Sequence, residues 1–126
     1  MKFQPDTFSG TNAISRYEPG AVWVNNQRFE GSLLVPWKGD VRPWSAPSHT
    51  ALTAEHFSEV LALKPELVIF GSGARLRFIS AALYRSLIEA RIGLETMDSA
   101  AACRTYNVLA AEGRSVVAAL LPALTD

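Results

Sequence analysis

From Thr53 to the C-terminus, strand-length apolar runs alternate with stretches of helical periodicity, and this αβαβαβ order narrows the fold more than any other feature. Thr53 suits an N-cap, and Phe57, Val60, Leu61 and Lys64 recur at helical spacing behind it. Pro65 disfavours helical backbone at the residue before it, so a helix ending at Lys64 is predicted. "LVIF", ending at Phe70, follows as a buried strand. Ser80 then caps a helix over residues 80–91, with Leu83, Leu87 and Ile88 on its inner face. "GLETM" is a short strand, Asp98 caps a third helix that runs to about Glu112 and stops at Gly113, and "SVVAALL" is the last strand. Strands and helices in this order form a mainly parallel sheet covered on both faces, an α/β fold.

The first third reads as β-structure. In "AVWVNNQRF", Asn25 and Asn26 tolerate the positive φ of a two-residue hairpin turn, which sets Val22 opposite Phe29 on a core side and Trp23 opposite Arg28 on the other. Gly31 breaks the alternation, and "SLLVP" has the consecutive apolar residues of a strand buried on both faces. "PWKGDVRPWSAPSH", from Pro36 to His49, holds three prolines and is predicted to be a long irregular loop, pinned by Trp37 and Trp44.

Composition removes several classes of function. A chain of 126 residues is one domain, 1–126. Twelve basic and twelve acidic residues cancel, so no long-range field attracts nucleic acid or an anionic membrane. One cysteine, Cys103, and two scattered histidines, His49 and His56, give no metal-ligand spacing, and no metal or other cofactor is expected. The start, "MKFQPDTFSG", lacks the apolar core of a signal peptide, and the run from Val116 to Leu121 is too short to span a bilayer. A cytoplasmic protein is expected.

The candidate site is "FGSGARLRF". A dinucleotide fingerprint needs a third glycine where Leu76 stands, and a phosphate loop needs a lysine, of which there is none after Lys64. What is left is a turn at the end of a buried strand, where Gly71, Ser72 and Gly73 allow close approach and Arg75 and Arg77 offer charge to a carboxylate or phosphate. The alternative is that both glycines serve turn geometry and both arginines are solvated. Cys103 reads as a packed thiol, and Glu95 with Asp98 carries no catalytic spacing. Asn107 shares a helical face with Cys103 and is expected to bond the backbone of a neighbouring loop.

"YEPGAVWVNNQRFEGSLLVP", "PELVIFGSG" and "GLETMDSAAACRTYNVLAAEGRSVVAALLP" together resemble the small domain family found in assembly factor 3 of mitochondrial respiratory complex I and in short bacterial and archaeal proteins of unknown function. The motifs that carry the resemblance are the Gly71-Ser72-Gly73 turn and the pattern formed by Glu95, Met97, Thr105, Tyr106 and Asn107. It implies a three-layer β+α/β/α arrangement with a mixed central sheet, the last strand antiparallel to others. It also implies no established catalysis, a structural part for the second motif, and protein binding as the working role. Two functions stand as expectations: an interaction or assembly module with a protein partner, or a small-molecule anion binder or enzyme built on the glycine turn.

Overall fold

The inner strands of the central sheet are buried on both faces, and their successive side chains enter two different cores, one on each face of that sheet. The structure, a computed structural model, describes residues 10–123. The start "MKFQPDTFSG", on which the signal-peptide expectation rests, lies outside those residues except for Gly10. Strands β1 (Ile14–Glu18), β2 (Ala21–Val24) and β3 (Gln27–Glu30) form an antiparallel three-stranded sheet. Strands β4 (Leu33–Pro36), β5 (Arg42–Pro43), β6 (Leu67–Gly71), β7 (Gly93–Met97) and β8 (Val116–Leu120) form the central sheet, in the order β5-β4-β8-β6-β7. Among the described residues the α-helices are α1 (Ala54–Leu61), α2 (Arg85–Glu89) and α3 (Ser99–Ala111).

One core lies between the central sheet and a layer made of α3 and the three-stranded sheet. Leu33, Val35, Ile69, Val116, Ala118 and Leu120 meet Ala102, Cys103 and Tyr106 from α3, and Ile14, Val22 and Val24 from the small sheet. The opposite core takes the intervening residues Leu34, Val68, Phe70, Val117 and Ala119 and covers them with α1 and α2. Trp44, Phe57 and Phe70 pack edge to face there at centroid separations of 5.7, 6.2 and 5.9 Å, each pair worth about 1 kcal/mol beyond its buried area. Trp44 pins the proline-rich loop, because its indole N–H donates to the His56 carbonyl at 2.9 Å. Trp37 is half-buried against the α3-side core, with the Lys38 ammonium 4.7 Å above its ring.

The hairpin register is the one the Asn-Asn turn dictates. Asn25 and Asn26 have φ of 52° and 69°, Val22 pairs with Phe29, and Trp23 pairs with Arg28. Arg16 and Arg28 both lie over the Trp23 ring, at 4.7 and 5.6 Å.

The central sheet is mixed. β8 is parallel to β6 and antiparallel to β4, and β6 is parallel to β7. β5 is antiparallel to β4 in turn, so the strand that runs against the other four is β4 and not the last strand, β8, which is antiparallel to β4 alone; β4 is delivered from the N-terminal hairpins and not by a helical crossover.

Two helix boundaries differ from the sequence reading. The first helix ends at Leu61, and Lys64 turns left-handed with φ of 54° before Pro65. The segment over 80–91 is a 3-10 turn, Ala81–Tyr84, succeeded by the short α2. Tighter winding over its first four residues shifts the phase of α2, so Leu87 is fully buried while Ile88 is 51% exposed and not on the inner face.

Candidate functional site

In a parallel sheet, ligands gather at the carboxyl ends of the strands, and here that end is laced shut by the chain itself. Gly71 closes β6, and its carbonyl accepts from the Leu121 N–H at 3.0 Å just beyond β8. The Ser72 N–H donates to the Met97 carbonyl at 2.9 Å, tying the turn to β7. Ser99, first residue of α3, fills the space between. Its hydroxyl accepts from the Gly73 N–H at 2.9 Å and donates to the Leu121 carbonyl at 2.7 Å, and its own N–H donates to the Gly73 carbonyl at 2.9 Å. A Cβ on Gly71 would lie 2.8 Å from Ser99 Oγ and 3.0 Å from Ser99 Cα, so glycine is required there by close approach of the helix. Gly73 has φ of +105°, a conformation that side chains rarely adopt.

The other groups of the turn are also engaged internally. Ser72 is buried; its hydroxyl accepts from the Arg77 N–H at 3.0 Å and lies 2.7 Å from the Arg75 carbonyl and 3.1 Å from that of Met97, to either of which it gives its proton. The start of α3 is likewise occupied. Asp98 accepts from the Ala101 N–H at 2.8 Å through its carboxylate and from the Ala102 N–H at 2.9 Å through its carbonyl. Arg75 is exposed and Arg77 half-buried on the loop beyond the turn. Glu95 is exposed on β7, while Met97 packs against the α3-side core.

The structure thus brings Gly71, Ser72, Gly73 and Met97 together but places Tyr106 and Asn107 farther along α3, roughly 10 Å from Ser99 at the rise of a helix. Thr105 is half-buried beside them. Asn107 reaches the backbone of β1 and not a loop: Oδ1 accepts from the Ile14 N–H and Nδ2 donates to the Ile14 carbonyl, both at 2.8 Å. The amide mimics a strand neighbour at the end of the small sheet. Asn107→Ala orphans both groups and is expected to lower stability by about 2 kcal/mol in a denaturant titration. An unchanged midpoint would refute this structural role.

Cys103 is buried, and desolvation pushes its thiol up from 9.0 to about 12, against a smaller opposing pull from Arg104. The unfolded chain ionises this thiol near its ordinary value while the folded chain keeps it neutral. Stability is therefore unaffected below about pH 9 and falls as pH rises toward about 12. Denaturation midpoints measured across that window should decline less steeply in Cys103→Ala; identical slopes would contradict the assignment.

A groove of about 310 Å³ runs between β1 and α3, lined by Arg16, Tyr17, Cys103, Arg104 and Asn107. Another, of about 430 Å³, lies between the Asn25 turn and Asp40. Among the described residues no group of three or more His, Cys, Asp or Glu is placed to hold a metal ion. His56 Nδ1 accepts from the Thr53 N–H at 3.0 Å, and His49 Nε2 lies 3.2 Å from the Phe78 carbonyl. No helix among the described residues is long and apolar enough to cross a membrane. The residue that sequence reasoning missed is Ser99. Its one signal was a glycine closing a strand, which marks close approach as well as a turn.

Residues 14–121 match the family described as Protein of unknown function (DUF498/DUF598). The chain is 31% identical over 123 residues to NADH dehydrogenase (ubiquinone) 1 alpha subcomplex assembly factor 3 of Danio rerio, covering 94% of this chain and 68% of that protein. With the Homo sapiens counterpart it shares 32% identity over 112 residues, 86% of this chain, and spans 60% of that protein's length. An uncharacterized protein of Rhodobacter capsulatus is 33% identical over 115 residues, 91% of this chain and 88% of its own. Among solved structures, a protein of Bordetella parapertussis superposes with a TM-score of 0.85 at 36% identity, covering 90% of this chain and 97% of the other. A Mth938-like domain of Bordetella pertussis gives 0.83 at 30% identity, covering 98% and 93%.

Proposed function

Because the chain belongs to the DUF498/DUF598 family of proteins of unknown function, we propose that it is a non-catalytic protein-interaction module of the assembly-factor kind, working in the cytosol. The observation that carries this reading is the closed carboxyl end of the sheet. The position where α/β enzymes keep a crevice is filled by Ser99, and the turn's hydroxyl and the Gly73 N–H already have partners in the fold. The likeness to proteins named as complex I assembly factors supports the same reading. Those proteins extend beyond the matched region, so their particular partner is not carried over.

The alternative, an anion site of Gly71, Ser72, Gly73, Arg75 and Arg77, requires those internal bonds to open. Titration with inorganic phosphate and with acetate is expected to leave the amide resonances of residues 71–77 unchanged at millimolar ligand. Saturating shifts abolished by Arg75→Ala with Arg77→Ala would establish the anion site and overturn the closed-turn argument. The module itself is tested by cross-linking and affinity purification of the chain from its native cells. Stoichiometric recovery of a protein partner is expected; a stoichiometric small molecule in place of a partner would refute the proposal.

A further inference from the structure

The loop after the glycine turn is patterned inside out. From Leu76 to Ser80 the backbone is in neither helix nor strand, and exposure alternates: Leu76, Phe78 and Ser80 are exposed while Arg77 and Ile79 are half-buried. Leu76 is 50% exposed and Phe78 is 72% exposed, whereas a surface segment with these residues would ordinarily turn its arginine outward and its Leu and Phe inward.

Local bonds impose this register. The Ser72 hydroxyl holds the Arg77 N–H and lies against the Arg75 carbonyl, which fixes the segment on either side of Leu76. His49 lies 3.2 Å from the Phe78 carbonyl, and the Ser80 hydroxyl accepts from the Ala82 N–H at 3.2 Å. The glycine-serine turn thus acts as a brace that presents two large apolar side chains to solvent.

The stretch of sequence that carries them is one-sided in charge. Between Glu66 and Glu89 the sequence holds Arg75, Arg77 and Arg85 and no carboxylate side chain, and Arg75 is exposed beside Leu76. Resting on the interaction-module reading, we propose that Leu76, Phe78 and Arg75 form the docking surface for an extended acidic segment of a partner protein, its apolar side chains on Leu76 and Phe78 and a carboxylate on the Arg75 guanidinium. A protein segment fits better than a lipid surface, because membrane attraction draws on a larger cluster of basic residues than these three.

The test selects random phage-displayed peptides on the full chain and measures the winners as synthetic peptides. Winners that combine Leu, Phe or Trp with Asp or Glu are expected. They should shift the amides of Arg75 to Ser80 and of His49. Leu76→Ser combined with Phe78→Ser should weaken them about tenfold or more without changing Tm, since both side chains are exposed. Arg75→Glu should weaken acidic peptides and favour their lysine-substituted forms.

Failure to select any peptide, winners without acidic residues, shifts mapping elsewhere, or a double variant that binds as well as wild type would each overturn the docking surface. So would binding of phosphatidylserine vesicles, lost in the double variant, in place of peptides. Failure of this surface is distinguishable from failure of the module reading. A native partner cross-linked equally by wild type and the double variant removes only the surface, whereas no partner recovered by wild type removes the module as well.

Discussion

Replacing Gly71 by valine is expected to lower stability by roughly 3 kcal/mol or more, above the usual range for a substitution in a strand. A Cβ at this position would lie 2.8 Å from Ser99 Oγ, 2.9 Å from Leu120 Cδ2 and 3.0 Å from Ser99 Cα. None of the three can yield cheaply. Ser99 is fully buried and its hydroxyl is bonded on both sides, to the Gly73 N–H and the Leu121 carbonyl, while its Cα belongs to the first turn of α3. Leu120 is packed in the α3-side core. Relief requires α3 to move outward, which breaks the Ser99 bonds and opens the core beneath. Ser99→Ala alone should cost less, about 1–2 kcal/mol for the lost hydroxyl bonds. Adding it to Gly71→Val should not restore stability, because the clash with Ser99 Cα persists. Urea denaturation of the three variants measures this; a Gly71→Val protein within about 1 kcal/mol of wild type would show that the strand end is looser than its contacts imply.

The parts of the fold that were legible in the sequence are those set by neighbours in the chain. The pairing of Val22 with Phe29 is a consequence of the turn at Asn25 and Asn26, and Asp98 caps α3 as its position ahead of a helical run requires. What was not legible depends on which elements meet. Nothing local to "SLLVP" states that β4 runs against the other four strands, since direction is fixed only when it pairs with β8. The shift of Ile88 to the surface comes from a 3-10 turn that α-helical periodicity cannot represent. Asn107 was recognised as a partner for backbone, yet Ile14 is 93 residues away, so its being a strand residue could not be read from "AACRTYN". For the candidate site the same limit applies with more force. The Gly-Ser-Gly turn was visible, but the helix residue that fills its space, Ser99, enters from 26 residues downstream of Gly73.

Tyr106→Ala is expected to have the largest effect of any change at the family motif, about 4 kcal/mol, the usual cost of removing a large buried aromatic together with the cavity it leaves. The ring is fully buried among residues of the small sheet, α3 and the central sheet, so no solvent enters to soften the loss. Its hydroxyl adds a specific function. It lies 2.9 Å from the Asn12 carbonyl and 3.0 Å from that of Pro36, and Asn12 donates through Nδ2 to the Pro36 and Gly39 carbonyls at 2.8 and 2.9 Å. One phenol therefore joins α3 to the segment leading into β1 and to the end of β4. Tyr106→Phe keeps the ring and removes that junction, and should cost about 1–2 kcal/mol, less than half the alanine effect. Burial also raises the phenol's pKa above its ordinary 10.0, so the folded state resists ionisation that the unfolded state undergoes, and stability falls as pH rises above that value. Tyr106→Phe should flatten this alkaline decline as well as lower the plateau. The decisive comparison is the denaturation midpoint of wild type, Tyr106→Phe and Tyr106→Ala at neutral and alkaline pH. A phenylalanine variant as unstable as the alanine one would place the whole effect in the hydroxyl junction, and one equal to wild type would place it wholly in the packing of the ring.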